Sequence, residues 1–290
     1  MEEEASGSES MFSISPMGQK LILEPGEVRE GTIKVFTPAD LEGKFMYRVE
    51  VAPYNVEGAD YEADLSTQSA RSQIVDWIKI EEPAGVLEAN ETKEIRYTIT
   101  VPENAAGGGQ YAAILVGSDE KNAMSGDGVN IKNIYQMASV IYARVNGETK
   151  RGGEISLNKI PGFITSSPME VSVELTNDGN IHETAKIQLS VKNFLNGSVV
   201  YPGEGDDGVI EEVIMPETTR VAARDINEMP ALGVFEVTQT VDYLGEHSSV
   251  TQLVVACPIW FMVMVGIVVA LIIGGIVMAV KKHREKRVLV

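Results

Sequence analysis

Three histidines, one cysteine and a surplus of carboxylates are the groups this chain could bring to chemistry, and their spacing does not assemble a catalytic centre. His182 follows Asn177-Asp178-Gly179-Asn180, His247 stands in a polar stretch and His283 lies in a basic tail, so no two share metal-ligand spacing. Neither G-x-S-x-G nor H-E-x-x-H occurs. The run from Gly203 to Gly208 (GEGDDG) could offer hard oxygens to Ca²⁺, but it lacks the EF-hand order and reads as a solvated turn. Gly107-Gly108-Gly109 reads as a bend into a strand rather than a phosphate cradle, because no helix pattern or P-loop lysine follows. Asn90-Glu91-Thr92 and Asn196-Gly197-Ser198 match the glycosylation sequon, a pattern short enough to arise by chance. Cys257 is the single cysteine, which rules out an internal disulfide and with it the disulfide-stapled receptor domains. The expectation is a non-enzymatic protein with no catalytic residue, metal or cofactor.

The elements that would position any site are strands. Phe45, Tyr47, Val49 and Val51 alternate with Met46, Arg48 and Glu50, and Ile95, Tyr97, Ile99 and Val101 alternate with Glu94, Arg96, Thr98 and Thr100. A period of two with one polar face predicts antiparallel strands half buried against a second sheet. Further strands are predicted at 19–23, 31–37, 74–80, 110–117 and 137–145, with Trp77 and Tyr97 inside. The stretch 23–30 (LEPGEVRE) is echoed by 87–94 (LEANETKE), each leading to a proline at the same distance, and Gly26 and Asn90 hold the turn position where positive φ is most easily accepted. Two polar connections, 54–73 and 118–133, read as long loops, the usual seat of binding on a rigid sandwich. A second β pattern begins at Glu154, with Asp178-Gly179 predicted as a hairpin turn and strands at 209–215, 220–225, 234–243 and 249–255. The predicted fold is all-β: two immunoglobulin-like β-sandwiches, at 12–146 and 154–255, joined by a linker at 147–153 and preceded by a disordered acidic stretch, 1–11.

One transmembrane helix follows. Residues 259–280 carry no charge, and 22 residues at ~1.5 Å each span about 33 Å against a hydrocarbon core of ~30 Å. Lys281, Lys282, Arg284, Lys286 and Arg287 come next, and such a tail stays on the cytoplasmic side, which places residues 1–258 outside the cell. That topology needs a signal peptide; residues 1–10 lack one, so the expectation is that it has been removed. The chain carries a formal charge of −18, and its basic tail contributes +4, leaving −22 on residues 1–280. A surface that acidic repels phosphate backbones, so nucleic-acid partners are not expected. Gly266, Ala270 and Gly274 recur every fourth residue of the span and form a candidate face for helix packing, hence a homodimer through the span.

Pro25-Gly26-Glu27, Asp76-Trp77-Ile78 and Val101-Pro102-Glu103 with Gly109 to Ile114, then Leu175 to His182, Pro216 and Leu232-Gly233 up to Tyr243, together resemble the WxL-interacting protein family of Gram-positive bacterial surfaces. The resemblance runs through residues 12–287 in order, span and tail included. It implies a first domain that binds cell-wall peptidoglycan and a second that binds host matrix or surface proteins, WxL-motif proteins among them. The residues themselves leave an alternative: a membrane-bound chaperone or assembly factor that lends a sheet edge to exported subunits, since strand addition needs only an exposed edge.

Overall fold

A computed structural model describes residues 12–118, 136–203, 207–227 and 229–288, with side chains described as far as residue 279. The acidic N-terminus, nearly all of the second long connection, the middle of the 203–208 turn and the side chains of the basic tail therefore lie outside the described residues. Two compact units emerge: one comprises residues 1–153 with Asn177–Glu183 and Ile214–Arg220, the other Glu154–Thr176, Thr184–Val213 and Val221–Val290. Each contains an immunoglobulin-like β-sandwich, the all-β class that the alternating pattern predicts.

In the first unit the strands are β1 (Ser13–Ser15), β2 (Gly18–Leu23), β3 (Val28–Phe36), β4 (Phe45–Pro53), β5 (Asn55–Glu57), β6 (Glu62–Asp64), β7 (Ile78–Ile80), β8 (Ala84–Leu87), β9 (Thr92–Thr100), β10 (Gly108–Ser118) and β11 (Gln136–Val145). Sheet order is β1-β3-β9-β7 on one layer and β2-β11-β10-β4-β8 on the other, with β5-β6 a separate hairpin. The chain's first stretch changes layers at Pro16: β1 runs antiparallel to β3, and β2 runs parallel to β11, with Gly18 opposite Val140 and Leu23 opposite Val145. Inward residues of both layers, among them Ile33, Phe45, Tyr97 and Ile114, form one core. The echoed turns share a mechanism as well as a spacing. Gly26 and Asn90 have φ of 81° and 59°, and the main-chain N–H groups of Glu24 and Glu88 each donate to the carboxylate three residues on, Glu27 or Glu91, at 2.8 Å.

Three local expectations change. Residues 74–80 are not one strand but a 3-10 turn, Gln73–Trp77, followed by the short β7. The side chain of buried Gln110 accepts from the Ile74 N–H at 3.2 Å and donates to the Ala70 carbonyl at 3.0 Å, which folds this segment away from a ladder. Ile74 and Ile78 are therefore the buried residues, while Trp77 packs only partly buried against the core; Tyr97 is buried as expected. The connection 54–73 is not structureless, since it carries the β5-β6 hairpin.

The second sandwich consists of β12 (Gly153–Lys159), β13 (Phe163–Ile164), β14 (Met169–Asn177), β15 (Glu183–Asn193), β16 (Val199–Tyr201), β17 (Val209–Ile214), β18 (Thr218–Ile226), β19 (Gly233–Tyr243) and β20 (Glu246–Ala256). One layer is β12-β14-β18 and the other β13-β20-β19-β15-β16, with β17 also on β15. Asp178-Gly179 is thus no hairpin turn: β14 and β15 lie in different layers. The buried Asn177 side chain shapes the crossing, accepting from the Gly179 N–H at 2.8 Å and donating to the Ile181 and Ile214 carbonyls at 2.9 and 3.0 Å. Helix α1 (Ile259–Val288) begins two residues after β20, and its segment Ile259–Ala279 is long and apolar enough to cross a membrane.

Candidate functional site

The outer edge of β20 is a long strand edge, open over most of its length. β19 and β20 pair without a bulge from Gly233 opposite Ala256 to Tyr243 opposite Glu246. Between them Leu244 and Gly245 have φ of 53° and 84°, the two-residue turn in which the flanking pair, Tyr243 and Glu246, exchanges hydrogen bonds. Antiparallel pairs alternate, so Glu246, Ser248, Val250, Gln252 and Val254 bond to β19, and the main-chain groups of His247, Ser249, Thr251, Leu253 and Val255 point the other way. The chain confirms this parity at its end, where the Val255 N–H donates to the Gly162 carbonyl at 3.0 Å. β13 covers only Val255 and Ala256. His247, Ser249, Thr251 and Leu253 consequently present a row of main-chain donors and acceptors to solvent, of which the Leu253 carbonyl accepts from the Gln252 side chain at 3.2 Å.

Natural sheet edges are usually blunted by lysine, proline or a bulge. β20 has none of these between Glu246 and Ala256. Its shape is held from within the hairpin, where Thr238 and Thr251, and Thr240 and Ser249, place their hydroxyl oxygens 3.0 Å apart across the ladder. Such cross-strand pairs stiffen an edge without capping it.

The first unit holds a cleft of about 320 Å³ lined by Lys20, Ile22, Arg144, Arg151, His182 and Glu183. Three cations around one opening stand out in so acidic a chain. Arg151 grips Glu183 through two bonds, 2.5 and 2.6 Å. The Arg144 Nε is buried and has no hydrogen-bond partner. Behind them an aromatic group, Tyr111, Tyr142 and His182, packs with ring centroids 5.5–6.2 Å apart. Burial, helped by the charge of Lys20, holds His182 down to about 4, so its ring is neutral near pH 7; burial likewise raises the hydroxyls of Tyr111 and Tyr142 above the usual tyrosine value. A neutral imidazole, T-stacked on Tyr111, supports the wall of the cleft.

The residues singled out from sequence fall elsewhere. Gly266, Ala270 and Gly274 lie on α1, and nothing stands within 4 Å of where a Cβ would sit on either glycine. Lys281, Lys282, Arg284, Lys286 and Arg287 continue the same helix, their side chains outside the described set. Among the described residues no group of three His, Cys, Asp or Glu is placed to hold a metal ion. The edge and the cleft were not anticipated. The edge had no signal of its own, since the central strands β10 and β19 are also eleven residues long and free of lysine and proline; the cleft had none either, because its lining comes from four separate stretches.

No protein-family model and no curated protein sequence matches the chain. Solved structures do match. A chaperone–tip adhesin complex of CFA/I fimbriae biogenesis shows 15% identity over 85% of this chain and 99% of its own, with a TM-score of 0.39. The CsuC–CsuE chaperone–tip adhesion subunit pre-assembly complex of Acinetobacter baumannii shows 13% identity over 84% and 98%, at 0.40. The PapD-like domain 7 of human CEP192 shows 14% identity over 51% and 94%, at 0.32.

Proposed function

We propose that this is a non-enzymatic, membrane-tethered chaperone or assembly factor that captures an extended segment of an exported partner polypeptide as an added strand on β20. The observation behind this reading is the open edge at His247, Ser249, Thr251 and Leu253, on a strand that ends two residues before a helix able to cross a membrane. With the basic tail inside the cell, both sandwiches face outward and meet partners as they emerge. Seven main-chain bonds, the Leu253 carbonyl being already engaged by the Gln252 side chain, would contribute about 4–10 kcal/mol at a net ~0.5–1.5 kcal/mol each. Ordering some seven partner residues costs about 7–14 kcal/mol. The two terms are of one size, so main-chain pairing alone gives weak capture, which suits a factor that must release its client. Exposed Leu253 and Val255 would supply the selective remainder.

Photo-crosslinking tests this reading in the cells that make the protein. A crosslinking side chain at Ser249 or Thr251 of the full chain is expected to form adducts with one extended segment of a surface protein, and one at exposed Lys34 is not. Equal adduct patterns from all three positions would refute it.

The cleft supports a second ligand. Lys20 and Arg144 line the cleft with positive charge, which suits a carboxylate-bearing ligand, and cell-wall peptidoglycan, the ligand implied by the resemblance, carries such groups. Retention of the full chain on purified peptidoglycan, weakened by Arg144→Gln, is the expected result; undiminished or absent retention would leave strand capture alone.

A further inference from the structure

Charge is sparse in the connections at one end of the second sandwich. Strand register gathers four connections there: Phe163 lies opposite Val255, Gly233 opposite Ala256, and Asn193 opposite Phe235, with the Phe194 N–H donating to the Val234 carbonyl at 2.9 Å. This is the end at which β20 finishes and Cys257-Pro258 lead into α1. Residues 160–168 (IPGFITSSP), 193–198 (NFLNGS) and 256–261 (ACPIWF) contain no charged residue, and 227–232 (NEMPAL) contains one, Glu228, which lies outside the described residues. Charged residues make up 23% of the chain, so chance would have placed several among these connections. The opposite end of the same hairpin carries Asp242 and Glu246.

Apolar side chains fill the place of the missing charges, and they are exposed. Phe163, Phe194, Leu195 and Leu232 are 48%, 55%, 82% and 51% accessible, and Trp260 at the start of α1 is 65% accessible. Leu195 stands at the tip of a tightly bonded turn, in which the Asn193 carboxamide accepts from the Leu195 N–H at 2.9 Å and the Gly197 N–H donates to the Asn193 carbonyl at 2.8 Å. The turn therefore presents Leu195 outward in a fixed way, not as a loose loop.

We infer that this end of the second sandwich docks on the lipid bilayer, seating Phe163, Phe194, Leu195 and Leu232 among the headgroups around the span. The inference rests on α1 crossing the membrane. Three Cα steps separate Ala256 from Ile259, at most about 11 Å. The headgroup zone outside the hydrocarbon is roughly 5–8 Å deep. So short a connection brings the apolar tips to that zone, which a partner protein would have to vacate of lipid before it could cover them. Trp260 sits where interfacial tryptophans anchor spans. Because the tips carry neither lysine nor arginine, the contact is with the apolar boundary and not with anionic headgroups. Docking would hold the sandwich at one height and present the edge of β20 at a fixed distance from the lipid.

Nitroxide labels on the full chain test this. In a Cys257→Ser background, single labels are placed at Leu195→Cys, Leu232→Cys, Glu246→Cys and Ile267→Cys, and the protein is reconstituted in phosphatidylcholine vesicles. Collision with a water-soluble nickel chelate is expected to be lowest at 267. At 195 and 232 it should fall about threefold or more below its value at 246, and added phosphatidylglycerol should leave it unchanged. If 195 and 232 collide as freely as 246 while 267 stays shielded, the docking surface is refuted and the span stands. Free collision at 267 would remove the span and the inference with it.

Discussion

Proline substituted at adjacent residues of β20 separates an open edge from a closed one. By the register, the Gln252 N–H donates to the Val237 carbonyl, whereas the Thr251 N–H faces outward. Gln252→Pro removes a ladder bond worth about 1 kcal/mol and strands the Val237 carbonyl at a further ~1–3 kcal/mol, a loss of about 2–4 kcal/mol. Thr251→Pro removes no ladder bond; measured against Thr251→Ala, which accounts for the Thr238 hydroxyl contact, its cost should stay within about 0.5 kcal/mol. Hydrogen exchange of the β19 amides in the full chain reads the difference locally. At tenfold per 1.4 kcal/mol, Gln252→Pro should speed exchange by roughly 30- to 700-fold and Thr251→Pro by only about twofold. The same Thr251→Pro should cut adducts at Ser249 by about 5- to 150-fold, because the partner loses one bond and keeps an unsatisfied acceptor. Equal acceleration by both prolines would refute the argument, since it would mean that the Thr251 amide is already engaged.

Three further outcomes are expected. His182 is a weaker base folded, about 4, than in an unfolded chain, 6.5, so protonation favours unfolding; stability should be complete above pH 6.5, decline through the window to pH 4 by at most about 3 kcal/mol, and lose that slope in His182→Gln, as denaturant titrations across pH would reveal. Asn177→Ala breaks three bonds of a buried side chain, and should cost about 2–4 kcal/mol in the same titrations, well beyond the effect of Asn196→Ala on an exposed turn. Ile74→Ala should destabilise by about 2–5 kcal/mol, and Trp77→Ala by less than the ~3–5 kcal/mol of a fully buried tryptophan, a contrast readable as thermal midpoints.

The fold class was legible because each strand carries its own evidence: the alternation in Phe45 to Val51 or Ile95 to Val101 is local, and so is the turn chemistry of Gly26 and Asn90. What stayed hidden depends on residues far away in sequence. The turn at Gln73–Trp77 follows from Gln110, more than thirty residues on, whose amide takes up the main chain of Ala70 and Ile74. Asp178-Gly179 has the composition of a hairpin turn, but only the pairing of β14 and β15 with different neighbours shows that it joins two layers. An edge is hidden for the same reason, since being unpaired is a property of the sheet and not of the strand. Lys20, Arg144 and Arg151 look like ordinary surface charges until the fold brings them to one opening.

In both sandwiches the opening segment is split between layers, and its second half lies parallel to the closing strand: β2 on β11, β13 on β20. Neither parallel pairing can form from a partial chain. Phe163 must wait for Val255, which is the last part of the sandwich to be synthesised and the part next to α1. Contacts of such long separation form late in folding. Until β20 is complete the second sandwich would therefore remain unlatched, with β19 rather than β20 as its raw edge. Completion of the β20 edge falls two residues before the start of α1, so that a chain cut short within β20 would lack both the latch and that edge.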